Sequence, residues 1–572
     1  MEPMMTKPLY KVRKINDLKE LLDQCTALYS DEFAFMSKVD DKYVGTTYKK
    51  YKEDVYALGT MLSELGMKNE HIAVIGENRY EWCVTYMAVT CGGGVIVPLD
   101  KELPKPEIEN LLNRSKAKVI VFSKKYREYV KEFMQTNKDL TIAIDMDSKV
   151  KEEGIYSFSE LINQGIKAIE SGNNEYGKTK IESTQLAGIF FTSGTTELAK
   201  GVMLSHKNLA SNVMAGMALF KAQPGDRLLS ILPIHHTYEC TCEFLLMTFQ
   251  GATIYFCEGL KHIQKNLQEA KPTIILVVPL ILENMYNKIW KQIDKKGITK
   301  KVKLALSISN ALLKLNIDIR KKVFKDILDV FGGKLNVAIA GAAAVNPEVL
   351  KGLRSFGIQT IQGYGLTESS PLAALNPLSA AKDAAIGLPM PESEMIIDNP
   401  DKDGIGEILI KSDSIMMGYY ENKEATDAVL IGGWLHSGDI GYRDKDGYFY
   451  ITGRKKNVIV TKNGKNIFPE EVESYMLKSP YISEIVVYGK DVPNDLETKV
   501  CAIIVPDYEE IKKALGKEEV TNEEVRELID EEVKKGNKQM PLYKMVREFE
   551  IRETEFEKTT TKKIKRSLAF KK

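Results

Sequence analysis

The stretch IAVIGENRYEWCVTYMAVTCGGGVIVPLD (Ile72 to Asp100) alternates between two kinds of apolar pattern. IAVIG and VIVPLD are short continuous apolar runs, as expected of strands buried on both faces, and RYEWCVTYMAVTC between them is long enough to be a buried helix. Strand, helix and strand in succession make a βαβ unit, the building block of a parallel sheet. Downstream, Pro104 and Pro106 open a helical segment that runs to Ser115, and KVIVFS (Lys118 to Ser123) is the next strand. Further strands are expected at Gly188 to Phe191, Leu228 to Leu232, Thr253 to Cys257, Ile274 to Val278 and Leu335 to Ala340, with helical patterns between most of them. The fold class is therefore α/β: layered, largely parallel sheets covered by helices. In such folds ligands lie beyond the carboxyl ends of strands, so the loops after these strands are where chemistry is sought.

From Ala384 to Ile451 closely spaced glycines separate short strand patterns, which predicts a small β subdomain (384–451). The tail after 457 is charge-rich, with two short strands near Glu484 to Val487 and Val500 to Ile504 and several helices, as expected of a small α+β domain. A chain of 572 residues exceeds what one hydrophobic core supports. The expected division is a large domain over 1–453, a connection at 454–457 and a small domain over 458–572.

A net charge of +1 supplies no global attraction for nucleic acid, and none is expected as a partner. No pair of the seven cysteines has Cys-x-x-Cys spacing, so they read as free thiols in a reducing, cytoplasmic setting. The N-terminal residues lack the apolar core of a signal peptide, and the longest apolar run, Ile274 to Leu282, is too short to span a bilayer.

The chemistry begins at FTSGTTELAKGVMLSH (Phe191 to His206). A strand runs into Thr192, Ser193, Gly194, Thr195 and Thr196, where small residues let backbone N–H groups turn toward an anion and hydroxyls add donors; Lys200 adds charge. A nucleotide phosphate is the natural ligand. The spacing is not that of a Walker A loop, which needs Gly-Lys-Ser/Thr opening a helix. This long loop resembles that of the adenylate-forming enzymes, the superfamily of acyl-CoA synthetases, firefly luciferase and peptide-synthetase adenylation domains. It departs from the pattern at Glu197 and Ala199, where the family usually has Gly and Pro. A carboxylate ~6 Å from a phosphate would cost about 3 kcal/mol at an effective dielectric of ~20, so Glu197 is expected to point outward.

Four further motifs follow in the family's order. LPIHHTYE (Leu232 to Glu239) resembles the aromatic and histidine motif beside the acyl pocket, which carries His236 over as a catalytic candidate. AGAAAVNPE (Ala340 to Glu348) resembles the adenine-binding segment, with Gly341, Ala342 and Ala343 small enough for a flat base to approach. QGYGLTES (Gln362 to Ser369) supplies nucleotide contacts at Gln362, Gly363, Tyr364 and Gly365. The resemblance implies Tyr364 against adenine, Thr367 near the α-phosphate and Glu368 on Mg2+. HSGDIGYRDKDGYFYITGRKKNVI (His436 to Ile459) resembles the ribose motif, with Asp439 and Arg454 as nucleotide ligands and Lys456 as the interdomain hinge; its DKDG reads as a hairpin turn. FEKTTTKKIKRSL (Phe556 to Leu568) is more loosely similar to the C-terminal catalytic-lysine motif and makes Lys563 the candidate, against the alternative of a solvated basic tail. The loop TKNGKNIFPEEVE (Thr461 to Glu473) resembles the one presented to CoA, with Gly464 allowing close approach.

The resemblance covers nearly the whole chain and is greatest to long-chain fatty acid:CoA ligases. It implies a mobile small domain acting as a lid, ATP and CoA as co-substrates, Mg2+, and activation of a medium- or long-chain fatty acid to an acyl-adenylate with release of pyrophosphate, then transfer to CoA. A carrier-protein thiol as acceptor, a luciferase-like oxygenase and a non-catalytic nucleotide-binding regulator remain as alternatives. The block 288–325 carries many lysines and interspersed apolar residues, suited to peripheral contact with an anionic membrane, at the inner face if so, or to a solvated helical face. Oligomeric state and acid chain length are not legible.

Overall fold

The computed structural model describes residues 6–152, 154–192, 199–460, 466–491, 498–559 and 563–570. The βαβ reading of Ile72 to Asp100 becomes strand His71–Ile75, helix Tyr80–Cys91 and strand Val95–Pro98. The helix is buried from Trp82 to Cys91, which explains why its sequence is apolar all round rather than on one stripe.

Two large sheets organise most of the chain. In the eight-stranded sheet, Leu186–Thr192, Val95–Pro98, His71–Ile75, Val119–Phe122, Ile142–Asp145 and Tyr156–Ser157 run parallel; Lys200–Ser205 and Gly418–Tyr419 are added antiparallel at one edge. In the nine-stranded sheet the parallel strands run Gln359–Gly365, Val337–Ala340, Ile274–Val277, Arg227–Ser230, Thr253–Phe256 and Phe33–Val39, with antiparallel strands at both edges.

Alternate side chains of these strands serve different cores. Ile72 and Val74 share one hydrophobic cluster with Leu228, Ile254 and Leu276 of the other sheet and with helices Tyr48–Glu64, Tyr80–Cys91 and His206–Leu219. Ala73 and Ile75 instead join the outer helices Lys105–Ser115 and Arg127–Thr136. Leu229, Ile275 and Val277 join Pro279–Lys295 and Pro347–Phe356. Each fully buried aliphatic side chain contributes ~1.5–3 kcal/mol, so strands covered on both faces must be continuously apolar.

A five-stranded antiparallel sheet over 393–454 forms the β-rich part, and Asp444 to Gly447 is its hairpin turn. Beyond it, strands Ile482–Asp491 and Thr498–Pro506 are longer than expected, and a third, Glu548–Ile551, pairs parallel to the second. Their core, with Val472, Ile485, Ile504 and Ile529, is a separate cluster. Six of the seven cysteines are buried free thiols and Cys257 is half-buried. Among the described residues no helix is long and apolar enough to cross a membrane.

Candidate active site

Strands Val337–Ala340 and Gln359–Gly365 are paired with Ala340 opposite Gln362, so the loop from Gly341 and the QGYG segment lie side by side at one sheet end. A Cβ on Gly341 would stand 2.9 Å from the Tyr238 ring, and Tyr238 donates its hydroxyl to Ile339 O at 3.0 Å. Ala342 has a φ of 72°, a left-handed conformation uncommon for a residue with a side chain. Ala343 is exposed. The amide of Gln362 is spent on the scaffold: it accepts from Val345 N at 3.3 Å and donates to Asp383 O at 2.7 Å and Ala385 O at 3.0 Å. Gln362 thus reaches the site through the loop it holds.

Gly365 passes so close to the chain beyond it that a Cβ would lie 1.8 Å from Pro371 O. The tight turn Thr367–Ser369 follows and carries half-buried Glu368. Tyr419 donates to Glu368 Oε1 at 2.7 Å, and Lys200 Nζ lies 5.3 Å from the centre of the Tyr419 ring. Thr192 reaches the same edge, its hydroxyl 3.3 Å from Lys200 O. The turn is pinned from behind by helix His206–Leu219, capped by Ser205 with Asn208 as the reciprocal partner. Asn212 Nδ2 donates to Ser369 O and Leu372 O at 3.0 and 2.9 Å, while Asn208 Nδ2 donates to Asp413 O and Ile415 O at 2.8 Å each. Ser193, Gly194, Thr195, Thr196 and Glu197 lie outside the described residues.

The ribose-type motif sits on strands Trp434–Arg443 and Phe449–Arg454, with Asp439 directly opposite Arg454. Asp439 is buried; it accepts from the Tyr364 hydroxyl at 2.6 Å and pairs with Arg454 Nε at 2.9 Å. Three sequence-predicted residues from two motifs therefore form one network. Lys456, exposed, lies in the turn Lys455–Asn457, whose flanks are anchored by Lys455 on Glu407 at 2.9 Å and Asn457 on Glu470 at 2.5 Å. Gly464 lies outside the described residues.

Lys563 comes from the far end of the chain. Its backbone pairs with Thr559: Thr559 N donates to Lys563 O at 2.8 Å and Lys563 N to Thr559 Oγ1 at 3.1 Å. Protein atoms crowd around the side chain although it keeps solvent contact; this crowding and the Arg454 guanidinium push its ammonium below the usual lysine range, against the opposing pull of Asp439. Its charge also reaches His236. Other basic residues of this segment are engaged elsewhere: Lys558 with Glu484 and Glu555, and Arg566 with Glu473. Lys562 lies outside the described residues.

His235 and His236 follow strand Arg227–Ser230 and lead into a π-helical run, Tyr238–Leu245. The imidazoles lie with centres 4.3 Å apart. Burial and the neighbouring His235 push His236 down to about 3, so it is neutral at pH 7. Burial would raise Asp100, but His235, with Nε2 3.4 Å from Asp100 Oδ2, and His236 bring it down to about 2.

The sequence reading missed Tyr419, Asn208, Asn212 and two carboxyls of the π-helical run. Glu239 and Glu243 are each 1% exposed; Glu239 accepts from Ser230 at 2.5 Å, and neither oxygen of Glu243 has a partner. Burial raises Glu239 to about 8 and Glu243 well above the carboxylate range. Their four-residue spacing within an otherwise apolar run was the available signal. Tyr419, in the two-residue strand Gly418–Tyr419, carried none.

Comparison with known proteins gives a consistent assignment. The AMP-binding enzyme model matches residues 22–420, and the AMP-binding enzyme C-terminal domain matches residues 471–563. The chain is 30% identical to long-chain-fatty-acid–CoA ligase 1 of Cavia porcellus over 83% of its own length and 71% of that protein. It is 27% identical to a chloroplastic long-chain-fatty-acid–[acyl-carrier-protein] ligase of Arabidopsis thaliana, over 89% and 78% of the two chains. Its fold matches that of ATP-bound MatB from Rhodopseudomonas palustris with a TM-score of 0.75 at 21% identity, covering 96% of this chain and 98% of that one. With one family model covering most of the large sheets and a second covering the C-terminal region, the chain belongs to the AMP-binding enzyme family.

Proposed function

We propose that this chain is an acid–thiol ligase that activates a medium- or long-chain fatty acid with ATP and transfers the acyl group to CoA. The observation that carries the reading is the Tyr364–Asp439–Arg454 network, assembled from two sequence motifs on different sheets, with the charges of Arg454 and Asp439 acting on Lys563 from the far end of the chain. Both reactants of the first step are anionic. A carboxylate oxygen attacks the α-phosphorus of ATP, the bond to pyrophosphate breaks, and the acyl-adenylate forms. The carboxylic acid is already ionised at pH 7, so what the protein must supply is positive charge and position.

In this scheme Lys563 neutralises charge at the forming bond, Thr367 donates to the α-phosphate, and the 192–200 edge with Lys200 holds the outer phosphates. Gly341, Ala342 and Ala343 admit adenine beside Tyr364, and Asp439 with Arg454 takes the ribose. Tyr419 leaves Glu368 with one anchored oxygen, and a single carboxylate beside phosphates suits Mg2+, which when bound offsets triphosphate charge. In the second step the thiol sulfur attacks the acyl carbonyl, AMP leaves, and rotation about Lys456 within 454–457 withdraws Lys563 and brings the loop with Gly464 forward. The division into 1–453 and 458–572 belongs to this scheme.

The fatty acid preference is supported by the names of the relatives, which divide between CoA and carrier protein as acceptor. AMP release across acids from acetate to oleate and benzoate, with CoA or a phosphopantetheinylated carrier protein, tests both. Turnover of long-chain acids with CoA is expected; turnover only of short or aromatic acids, or only with carrier protein, would overturn the corresponding part.

A membrane-facing role of 288–325 is supported by helix Thr299–Leu313, whose inward face is Val302 and Ser309. Its outward face and the following turn expose Leu304, Ile308, Leu315 and Ile317 among Lys300, Lys301, Lys303 and Lys314. Apolar side chains ringed by lysines suit an anionic bilayer, where fatty acids partition. Flotation with anionic vesicles is expected to carry the protein, and Leu304→Ser with Lys301→Glu to abolish it; equal flotation of the variant would refute the assignment.

A further inference from the structure

Asp100 follows strand Val95–Pro98 of the eight-stranded sheet, whereas His235 and His236 follow strand Arg227–Ser230 of the nine-stranded sheet. The two sheets bring one ligand atom from each residue within 4.8 Å of the others, and among the described residues this is the one cluster with that property. His235 is 8% exposed and its Nε2 makes no hydrogen bond. It stands 3.4 Å from Asp100 Oδ2, an ion-pair separation without hydrogen-bond alignment. A buried polar atom left without a partner is disfavoured, so a ring nitrogen aimed at a carboxylate and a second imidazole calls for something between them. An ion bound tetrahedrally at ~2.0–2.1 Å holds its ligand atoms about 3.3 Å apart, close to the gap found here.

We propose that Asp100, His235 and His236 form a site for a divalent transition-metal ion of the zinc type, with a water as fourth ligand, and that its occupancy inhibits the enzyme. Two imidazoles and one carboxylate are a nitrogen-rich set that favours Zn2+ over Mg2+, which takes oxygen ligands. The site is therefore chemically distinct from Glu368. The inhibitory half rests on the assignment of His236 given above: an imidazole held by the ion is no longer available beside the acyl group. The binding half stands without that assignment.

The test uses the full chain after chelator treatment, titrated with Zn2+ by calorimetry and with Co2+ by visible spectroscopy. One equivalent is expected, with the intense visible bands of a tetrahedral Co2+ site. His235→Gln and the isosteric Asp100→Asn should each weaken binding by at least about tenfold. Equal affinity of wild type and both variants would place the ion elsewhere, at a cysteine for example, and overturn the site; absence of binding would leave an Asp100–His235 ion pair only. ATP–pyrophosphate exchange is then measured with Zn2+. Inhibition reversed by chelator, and reduced at least about tenfold in sensitivity in His235→Gln relative to that variant's own zinc-free rate, supports the regulatory half. Binding at the triad without inhibition would overturn that half alone.

Discussion

The Tyr364 hydroxyl donates to Asp439 Oδ2 at 2.6 Å, joining the end of a strand in the nine-stranded sheet to a strand of the five-stranded one. Arg454 takes the other carboxylate oxygen at 2.9 Å. A carboxylate held from both sides is aimed before any nucleotide arrives, and the aim is lost if either partner goes.

Tyr364→Phe removes the hydroxyl and keeps the ring. A hydrogen bond to a charged group contributes ~1.5–3 kcal/mol, and with about half of that felt in nucleotide binding the apparent KM for ATP rises roughly three- to tenfold. Initial rates of pyrophosphate exchange measure it; an unchanged KM would show that Asp439 is oriented by Arg454 alone.

Tyr419→Phe frees Glu368 Oε1, which now accepts from Tyr419 at 2.7 Å. The expected result is a several-fold higher Mg2+ concentration at half-maximal activity, with rates restored at saturating Mg2+. A lowered rate that excess Mg2+ does not rescue would assign Tyr419 to another step.

Lys563→Ala should lower acyl-adenylate formation by at least about a hundredfold, the scale of losing one charge-stabilising group, while thioester formation from supplied acyl-adenylate persists. Lys562→Ala should remain active. Because the protein atoms crowded around Lys563 and the Arg454 guanidinium hold it below its ordinary value of 10.5, its positive charge is lost at lower pH than that of a free lysine, and the alkaline limb of the adenylation profile should fall below that value.

Glu239→Gln tests the buried carboxyls. Burial raises Glu239 from 4.5 to about 8, so over that interval the folded chain keeps a proton that the unfolded chain has released. The stability this contributes is complete below 4.5 and is lost as pH rises through about 8, at up to ~1.4 kcal/mol per pH unit for one proton. Denaturation midpoints of the wild type should therefore fall, relative to those of the variant, between about pH 5 and pH 8. Parallel profiles would mean that Glu239 does not hold a proton in the folded state.

Gly365→Ala forces a methyl group to within 1.8 Å of Pro371 O, a backbone atom that cannot swing aside. Loss of soluble protein or a large fall in denaturation midpoint is expected. Gly341→Ala has the Tyr238 side chain as its nearest neighbour, at 2.9 Å, and should be better tolerated in folding while weakening ATP binding.

Much was legible in the chain itself. Strands such as His71–Ile75 serve one core with Ile72 and Val74 and another with Ala73 and Ile75, so every position had to be apolar and the run stood out. The loops at Gly341 and Gly365 were legible because close backbone approach demands small residues. Strand Glu548–Ile551 was not, since its four residues alternate between half-buried and exposed and resemble any polar turn.

Other features depended on which distant segments came together. Nothing near Tyr419 signals that its hydroxyl meets Glu368, 51 residues earlier, and nothing near Asp100 signals His235. Local composition records whether a residue is buried and in which periodic element, because those demands repeat every two or about 3.6 residues. Partnership between side chains is set instead by how two sheets and the helices between them pack, and that geometry leaves no periodic trace in the sequence.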